Sequence, residues 1–511
     1  MKPFRIFIFF AAVLLLLFLI ALLMPQQGVG IVGDLRFSFF SVPELFQKNS
    51  QSKDQTVELL LAASTVTDDP EELIPGPATF EPPVDPIMPE PEEPQKKESG
   101  QAEPRKEAIP KQPMKHINPA NTDSLKRTIN RIQFGAKGAS VLDPFFQTLE
   151  GLQAGHVKRS RILHYGDSQI ENDRMTALIR FRLQKLLGGT GTGMVPAVPL
   201  YSGHMAYQQE QEGKWLRYTI FGKRDSTIRH NSYGVMGAFA SVPMVSDGEW
   251  PSLAYQFNTR RRTGQLNRVK IFLHSYVEDA SMVFQVNDTI VDTISSISDG
   301  FSVADYRHHG AVKDFEVKMN LPEGGRIYAI SFESDEGLQV DNIAMRGASG
   351  LIFTKMDRSL QEAMMDHLSP GLIILQFGGN VVPYMNAAYY KRAFKRELNF
   401  VKELCPGVPV ILIGPADMSI KKKGEFISDP NVEPIRDALR AAATESGFAF
   451  WDLYEAMGGR NSMPSFVKAN PPLGRPDYIH FSSLGANLAA EMFYNALMWQ
   501  YNQFLDQKRE Q

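Results

Sequence analysis

Three short apolar runs in this chain end abruptly at glycine: Arg161 to Tyr165 (RILHY) before Gly166, Leu372 to Phe377 (LIILQF) before Gly378-Gly379, and Val408 to Ile413 (VPVILI) before Gly414-Pro415. A strand buried on both faces reads as an uninterrupted apolar run, and the glycine marks a tight turn at its end. After the first turn, Ile170, Ala177, Leu178, Phe181, Leu186 and Leu187 recur at helical spacing until Gly188-Gly189 stop the segment. A helical stretch to Leu404 follows the second run, Phe448 to Leu453 (FAFWDL) reads as another strand, and Ser483 to Phe504 as a closing helix. Strands alternating with helices predict an α/β domain whose parallel sheet is covered on both faces.

The middle of the chain breaks that rhythm. Val235 to Val340 holds short alternating segments (RVKIFLH, SMVFQVN, TIVDTI, DFEVKM, RIYAISFES) separated by turn formers, with no helix-length period among them. That pattern predicts an antiparallel β-sandwich, inserted after the first strand-helix unit. The aromatic residues Tyr201, Tyr207 and Trp215 at its start are expected in a core rather than on a sugar-stacking surface.

The N-terminal part is of another kind. Ile6 to Met24 carries no charge and is long enough to cross a bilayer; Lys2 and Arg5 precede it and the next basic residue is Arg36. It reads as an uncleaved N-terminal transmembrane helix that leaves the rest of the chain outside the cytoplasm, in the periplasm if the source is Gram-negative. The 43% hydrophobic and 22% charged fractions are those of globular protein, so 33 prolines must cluster somewhere. They do so between Thr67 and His116, where Pro and Glu alternate with almost no aromatic residue. Such a segment buries too little apolar surface to offset its ordering entropy and predicts a disordered, extended tether, reaching on the order of 100 Å at ~3.1 Å per residue. The expected organisation is residues 1–27 anchor, 28–117 tether, 118–205 and 345–511 α/β domain, and 206–344 inserted sandwich. A net charge of −3 offers no field for nucleic acid, and the single Cys405 excludes both an internal disulfide and a cysteine metal cage.

Chemistry enters at the strand ends. Gly166-Asp167-Ser168 would project a serine hydroxyl from the carboxyl edge of the sheet, where open α/β folds bind ligands. Near the C-terminus, Asp477-Tyr-Ile-His480 puts a carboxylate three residues before an imidazole on one loop, able to hold Nδ1 and leave Nε2 for a serine. Asn380, after LIILQFGG, stands where its amide can meet a developing oxyanion, and Gly350, in Arg346-Gly-Ala-Ser-Gly350, can offer an unhindered backbone N–H. Alone, each fragment is ordinary turn chemistry. His308-His309 would face opposite ways on a strand, no P-loop, H-E-x-x-H or G-x-S-x-G is present, and His164 reads as a buried strand histidine.

Taken in order, the four blocks resemble the GDSL/SGNH hydrolases over residues of about 140 to 200 and 345 to 505. The resemblance implies a flavodoxin-like three-layer α/β fold without cofactor or metal. It implies Ser168 as nucleophile, His480 as general base and Asp477 as its orienter, with an oxyanion hole from the Ser168 and Gly350 N–H groups and the Asn380 side chain. Gln169 stands where the family usually has Leu or His, and Val381 where an acidic residue is common. An SGNH core split by a carbohydrate-module-like sandwich is similar to bacterial peptidoglycan and polysaccharide O-acetylesterases. The implied partners are therefore an acetylated glycan and, through the anchor, a membrane. An O-acetyltransferase with the same triad, a lipase, or a non-catalytic glycan-binding protein are the alternatives.

Overall fold

Five parallel strands build the sheet that carries the strand-end motifs: β1 Arg159–Gly166, β2 Gly337–Ala344, β3 Leu372–Gln376, β4 Val410–Ile413 and β5 Ala449–Trp451. Their spatial order is β2-β1-β3-β4-β5. Gly166 of β1 lies level with Ala344 of β2 and Gln376 of β3, so the first three strands end at one line. The computed structural model describes residues 131–510 except 202–205, 242–249, 259–264, 279 and 322–324. Before residue 131 it describes only short pieces between residues 29 and 64. These include an antiparallel hairpin, Val29–Val32 with Leu35–Phe37, in a separate compact unit. The predicted anchor and the proline-rich tether lie outside the described residues. Among the described residues no helix is long and apolar enough to cross a membrane.

Helices α1 Asp143–Gln153, α2 Thr176–Leu187 and α6 Ser483–Glu510 pack together over one face of the sheet, and α3 Arg358–Leu368, α4 Ala387–Leu404 and α5 Val432–Glu445 over the other. Strand alternation decides which residue meets which layer. In β1, Leu163 and Tyr165 join the core with Met364, Phe394 and Leu439, whereas His164 points to Thr176 of α2. The helix α4 shows how its sequence specifies it. Asn386 caps its first turn by accepting the Tyr389 N–H at 3.0 Å, and Tyr390, Ala393, Phe394, Leu398 and Val401 form its buried stripe.

The inserted domain is an antiparallel sandwich. One sheet has the order Thr289–Ile297, Ala280–Val286, Asp314–Asn320, Ser252–Phe257, Tyr207–Glu212. The other runs Gly300–Arg307, Arg268–Ser275, Arg326–Glu333, Ala238–Ser241, Leu216–Thr219, with Gly193–Val195 also paired to Arg326–Glu333. Val269, Ile271 and Leu273 of this second sheet face the first and fill the sandwich core, which includes Tyr207. Phe272, between two of them, faces the α/β domain beside Phe239, Tyr328 and Met364. One sheet thus buries both faces and seats the sandwich on the α/β core.

Two boundaries differ from the sequence reading. Gly337–Ala344, assigned to the sandwich, is the edge strand of the parallel sheet, and Gly193–Val195, assigned to the α/β domain, pairs with the sandwich. The cause is polar burial. Gln339 and Asp341 give the strand the alternation of a half-solvated one, yet Asp341 is fully buried against Arg161. The Met194 N–H also donates to Asp341 at 2.8 Å, and a Cβ at Gly193 would overlap the same carboxylate.

Candidate active site

Strand β1 stops at Gly166, where a Cβ would lie 2.9 Å from Ile170 and 3.0 Å from the Gln376 carbonyl. Glycine is the residue that lets β1 and β3 end this close. The Asp167 N–H bonds the Gln376 carbonyl and its buried carboxylate accepts the Gln169 N–H at 3.0 Å, so the backbone turns tightly around Ser168. With β1 and β3 adjacent but joined to helices on opposite faces, this is the switch point of a 2-1-3-4-5 sheet, where such folds bind ligands.

The second loop reaches the same point from the far end of the chain. Gly474 bridges Phe481 at its base, the Arg475 N–H bonds the His480 carbonyl at 2.8 Å, and Tyr478 takes a left-handed turn at φ +59°. His480 Nε2 then lies 2.9 Å from Ser168 Oγ, and His480 Nδ1 lies 2.9 Å from Asp477 Oδ2. The other Asp477 oxygen accepts the Ile479 and His480 N–H groups, each at 2.9 Å. Partial burial pushes the Asp477 carboxyl up, but the His480 N–H, its ring and the Ile479 N–H outweigh that and hold it below the ordinary carboxylate range. Serine, imidazole and ionised carboxylate stand in line, the arrangement that lets a hydroxyl lose its proton as it attacks a carbonyl.

Asn380 and Gly350, expected to donate to an oxyanion, follow the neighbouring strands β3 and β2. Asn380 sits on a single helical turn after β3, and its amide donates to the Ala348 carbonyl at 3.2 Å. Burial pushes the carboxyl of Asp167 up to about 6, against the lowering by its hydrogen bonds, that from the Asn380 side chain among them. Gly350 takes φ +79°, and a Cβ there would lie 2.6 Å from Phe394 and 2.9 Å from Phe377. Among the described residues neither the Ser168 nor the Gly350 N–H has an acceptor.

One contributor escaped the sequence reading. Gln169 donates to the Ile479 carbonyl at 2.8 Å and so ties the serine loop to the histidine loop. Nothing local in the sequence signals it, because its partner is brought by another loop. His164 is the buried strand histidine expected, held by Thr176 and Gln376 and pushed down to about 4 by burial. Among the described residues no group of His, Cys, Asp or Glu is placed to hold a metal.

No protein-family profile and no curated protein sequence matches the chain. Solved structures do. A peptidoglycan O-acetylesterase aligns with TM-score 0.57 at 22% identity, over 70% of this chain and 96% of that one. A family two carbohydrate esterase from Cellvibrio japonicus aligns with TM-score 0.23 at 8% identity, over 58% of this chain and 99% of that one. An acetyl xylan esterase aligns with TM-score 0.24 at 16% identity, over 31% of this chain and 81% of that one. The first of these alignments shows that the chain shares the fold of that peptidoglycan O-acetylesterase; its own α/β domain carries an antiparallel β-domain inserted after the first strand-helix unit.

Proposed function

We propose that this chain is a serine esterase that removes O-acetyl groups from a cell-envelope or exported polysaccharide of the peptidoglycan type. The observation that carries the reading is the unbroken relay Ser168–His480–Asp477, with both links at 2.9 Å, at the switch point of the sheet. In this reading Ser168 Oγ gives its proton to His480 Nε2 and bonds the acetyl carbonyl carbon. The ester C–O bond then breaks and the sugar oxygen takes the proton back from His480. Water attacks the acetyl-serine with His480 again accepting a proton, and acetate leaves as the serine is restored. The Ser168 and Gly350 N–H groups meet the oxyanion, joined by Asn380 when it exchanges its long bond to Ala348; each such donor is worth on the order of 10²–10³ in turnover.

A small cavity lined by Gln169, Phe377, Gly379, Met418 and Ile479 lies beside the serine loop. The inserted sandwich is read as a carbohydrate-binding module. The apolar run Ile6 to Met24 is read as the anchor that holds the catalytic part outside the cytoplasm, and the proline-rich segment as its tether.

The purified full-length protein is expected to release acetate from an activated acetate ester and from an O-acetylated glycan. Ser168→Ala should lower kcat by at least ~10⁴-fold. Equal rates for the two proteins would remove the serine mechanism. Acetyl groups recovered on an acceptor sugar instead of as free acetate would make the protein a transferase.

A further inference from the structure

The peptide unit between Ile479 and His480 is pinned at both ends. Its N–H, on His480, donates to Asp477 Oδ1 at 2.9 Å, and its carbonyl, on Ile479, accepts from Gln169 Nε2 at 2.8 Å. A peptide unit is planar, so bonds to its two opposite groups fix its rotation, and with it the direction in which the His480 side chain leaves the backbone. One of these bonds comes from the histidine loop itself. The other comes from the residue that follows the serine.

Gln169 is itself held in place. Its backbone N–H donates to Asp167 Oδ1 at 3.0 Å, and the Asp167 N–H donates to the Gln376 carbonyl at the end of β3 at 3.2 Å. A path of bonds therefore runs from β3 through Asp167 and Gln169 to the Ile479 carbonyl, parallel to the direct bond of 2.9 Å between Ser168 Oγ and His480 Nε2. The direct bond has to break and form again whenever the proton moves. The parallel path takes no part in proton transfer and can keep the two loops in register throughout.

Only one half of the Gln169 amide is used. Its Oε1 is buried with no hydrogen-bond partner among the described residues, a cost that an apolar side chain of the same length would avoid. What the position supplies is the donor, and turning the amide over would set Oε1 against the Ile479 carbonyl.

We propose that Gln169 is a positioning residue that holds the His480 imidazole in line with Ser168 through the Ile479 carbonyl. The role rests on the esterase reading of Ser168 and names the contact that keeps its two loops aligned.

The test uses the full-length protein and an activated acetate ester. Gln169→Met keeps the length and removes the donor; it should lower kcat about tenfold to 10²-fold, with KM within about twofold of the wild type. Gln169→Glu adds a readout that a merely structural role would not move. As a carboxylate it opposes the Ile479 carbonyl, and as a carboxylic acid its O–H donates again. Its kcat relative to the wild type should rise several-fold as pH is lowered from about 8 to about 5, while the same ratio for Gln169→Met stays flat. A carboxylate acting only through its charge would favour protonated His480 and make the ratio fall instead. A kcat for Gln169→Met within about twofold of the wild type, or a Gln169→Glu ratio that is flat or falls, overturns the proposal. If Gln169→Met does not fold, Gln169→Glu decides alone.

Hydrogen exchange separates this proposal from the esterase reading, because it needs no turnover. The Ile479 and His480 amide protons are both held by Asp477, and their exchange should quicken about tenfold or more in Gln169→Met, or in Gln169→Glu at about pH 8. Unchanged exchange sinks the positioning role even if the wild type is an active esterase. Quickened exchange upholds it even if the wild type cleaves no ester, and the esterase reading then falls by itself.

Discussion

Asp477 Oδ2 lies 2.9 Å from His480 Nδ1, while Oδ1 of the same carboxylate accepts the backbone N–H of both Ile479 and His480. One oxygen shapes the loop and the other sets the ring. These roles can be separated, because an asparagine carbonyl can replace the first oxygen but its NH₂ would oppose the Nδ1 hydrogen.

Asp477→Asn is accordingly expected to keep its melting temperature and lose turnover. With the amide beside Nδ1, the imidazole favours the tautomer with hydrogen on Nε2 and cannot accept the Ser168 proton. The expected fall in kcat on an activated acetate ester is about 10³–10⁴-fold. A loss below tenfold would show that His480 does not depend on Asp477.

The seating of the sandwich rests on buried charge as well as on Phe272 and its neighbours. Arg161 of β1 pairs with Asp341 of β2 at 2.7 Å and with Glu333 of the sandwich, and Lys270 lies 3.1 Å from the same Glu333. All four side chains are nearly inaccessible to water. Glu333→Ala takes from Lys270 its ion-pair partner and from Arg161 one of two partners. Breaking a buried pair from one side costs about 3–5 kcal/mol, so the melting temperature should drop by on the order of 10 °C. Arg358→Ala removes exposed pairs with Glu362 and Glu403 and should leave it unchanged. Equal melting temperatures for Glu333→Ala and the wild type would mean that this network does not hold the domains together.

What could be read from the chain, and what could not, follows from where each residue finds its partners. RILHY and LIILQF announce β1 and β3 because a strand covered on both faces is largely apolar, and Gly166 and Gly378 mark their ends. Ser168, Asp477 and His480 were legible through four ordered blocks and meet as expected. The polar strand Gly337–Ala344 was not legible as part of the parallel sheet, because Asp341 is made tolerable by Arg161, 180 residues earlier. Gln169, which stands where the resembled family usually has Leu or His, is bonded to the Ile479 carbonyl, 310 residues away. The hairpin Ser419–Lys422 with Glu425–Ser428 was missed as well. Its Phe426 stacks on Tyr478 with ring centroids 3.7 Å apart, a contact that exists only once the histidine loop has folded.

The end of β1 also carries two titrating groups whose effects on stability oppose each other. His164 is pushed from 6.5 down to about 4 by burial, and Asp167 from 3.8 up to about 6 by burial. His164 contributes stability that is complete above pH 6.5 and is lost as pH falls to about 4, since the unfolded chain takes up the proton first. Asp167 does the reverse: its contribution is complete below pH 3.8 and is lost as pH rises to about 6, since the folded chain holds the proton longer. Between pH 4 and 6 the two slopes nearly cancel. His164→Asn leaves Asp167 uncompensated, so that on acidification from pH 6.5 to 4 this variant should gain about 3 kcal/mol relative to the wild type. Asp167→Asn leaves His164 alone and should lose a similar amount over the same range. Urea unfolding at the two pH values measures both changes, and parallel pH profiles for wild type and variants would show that neither group titrates from a buried site.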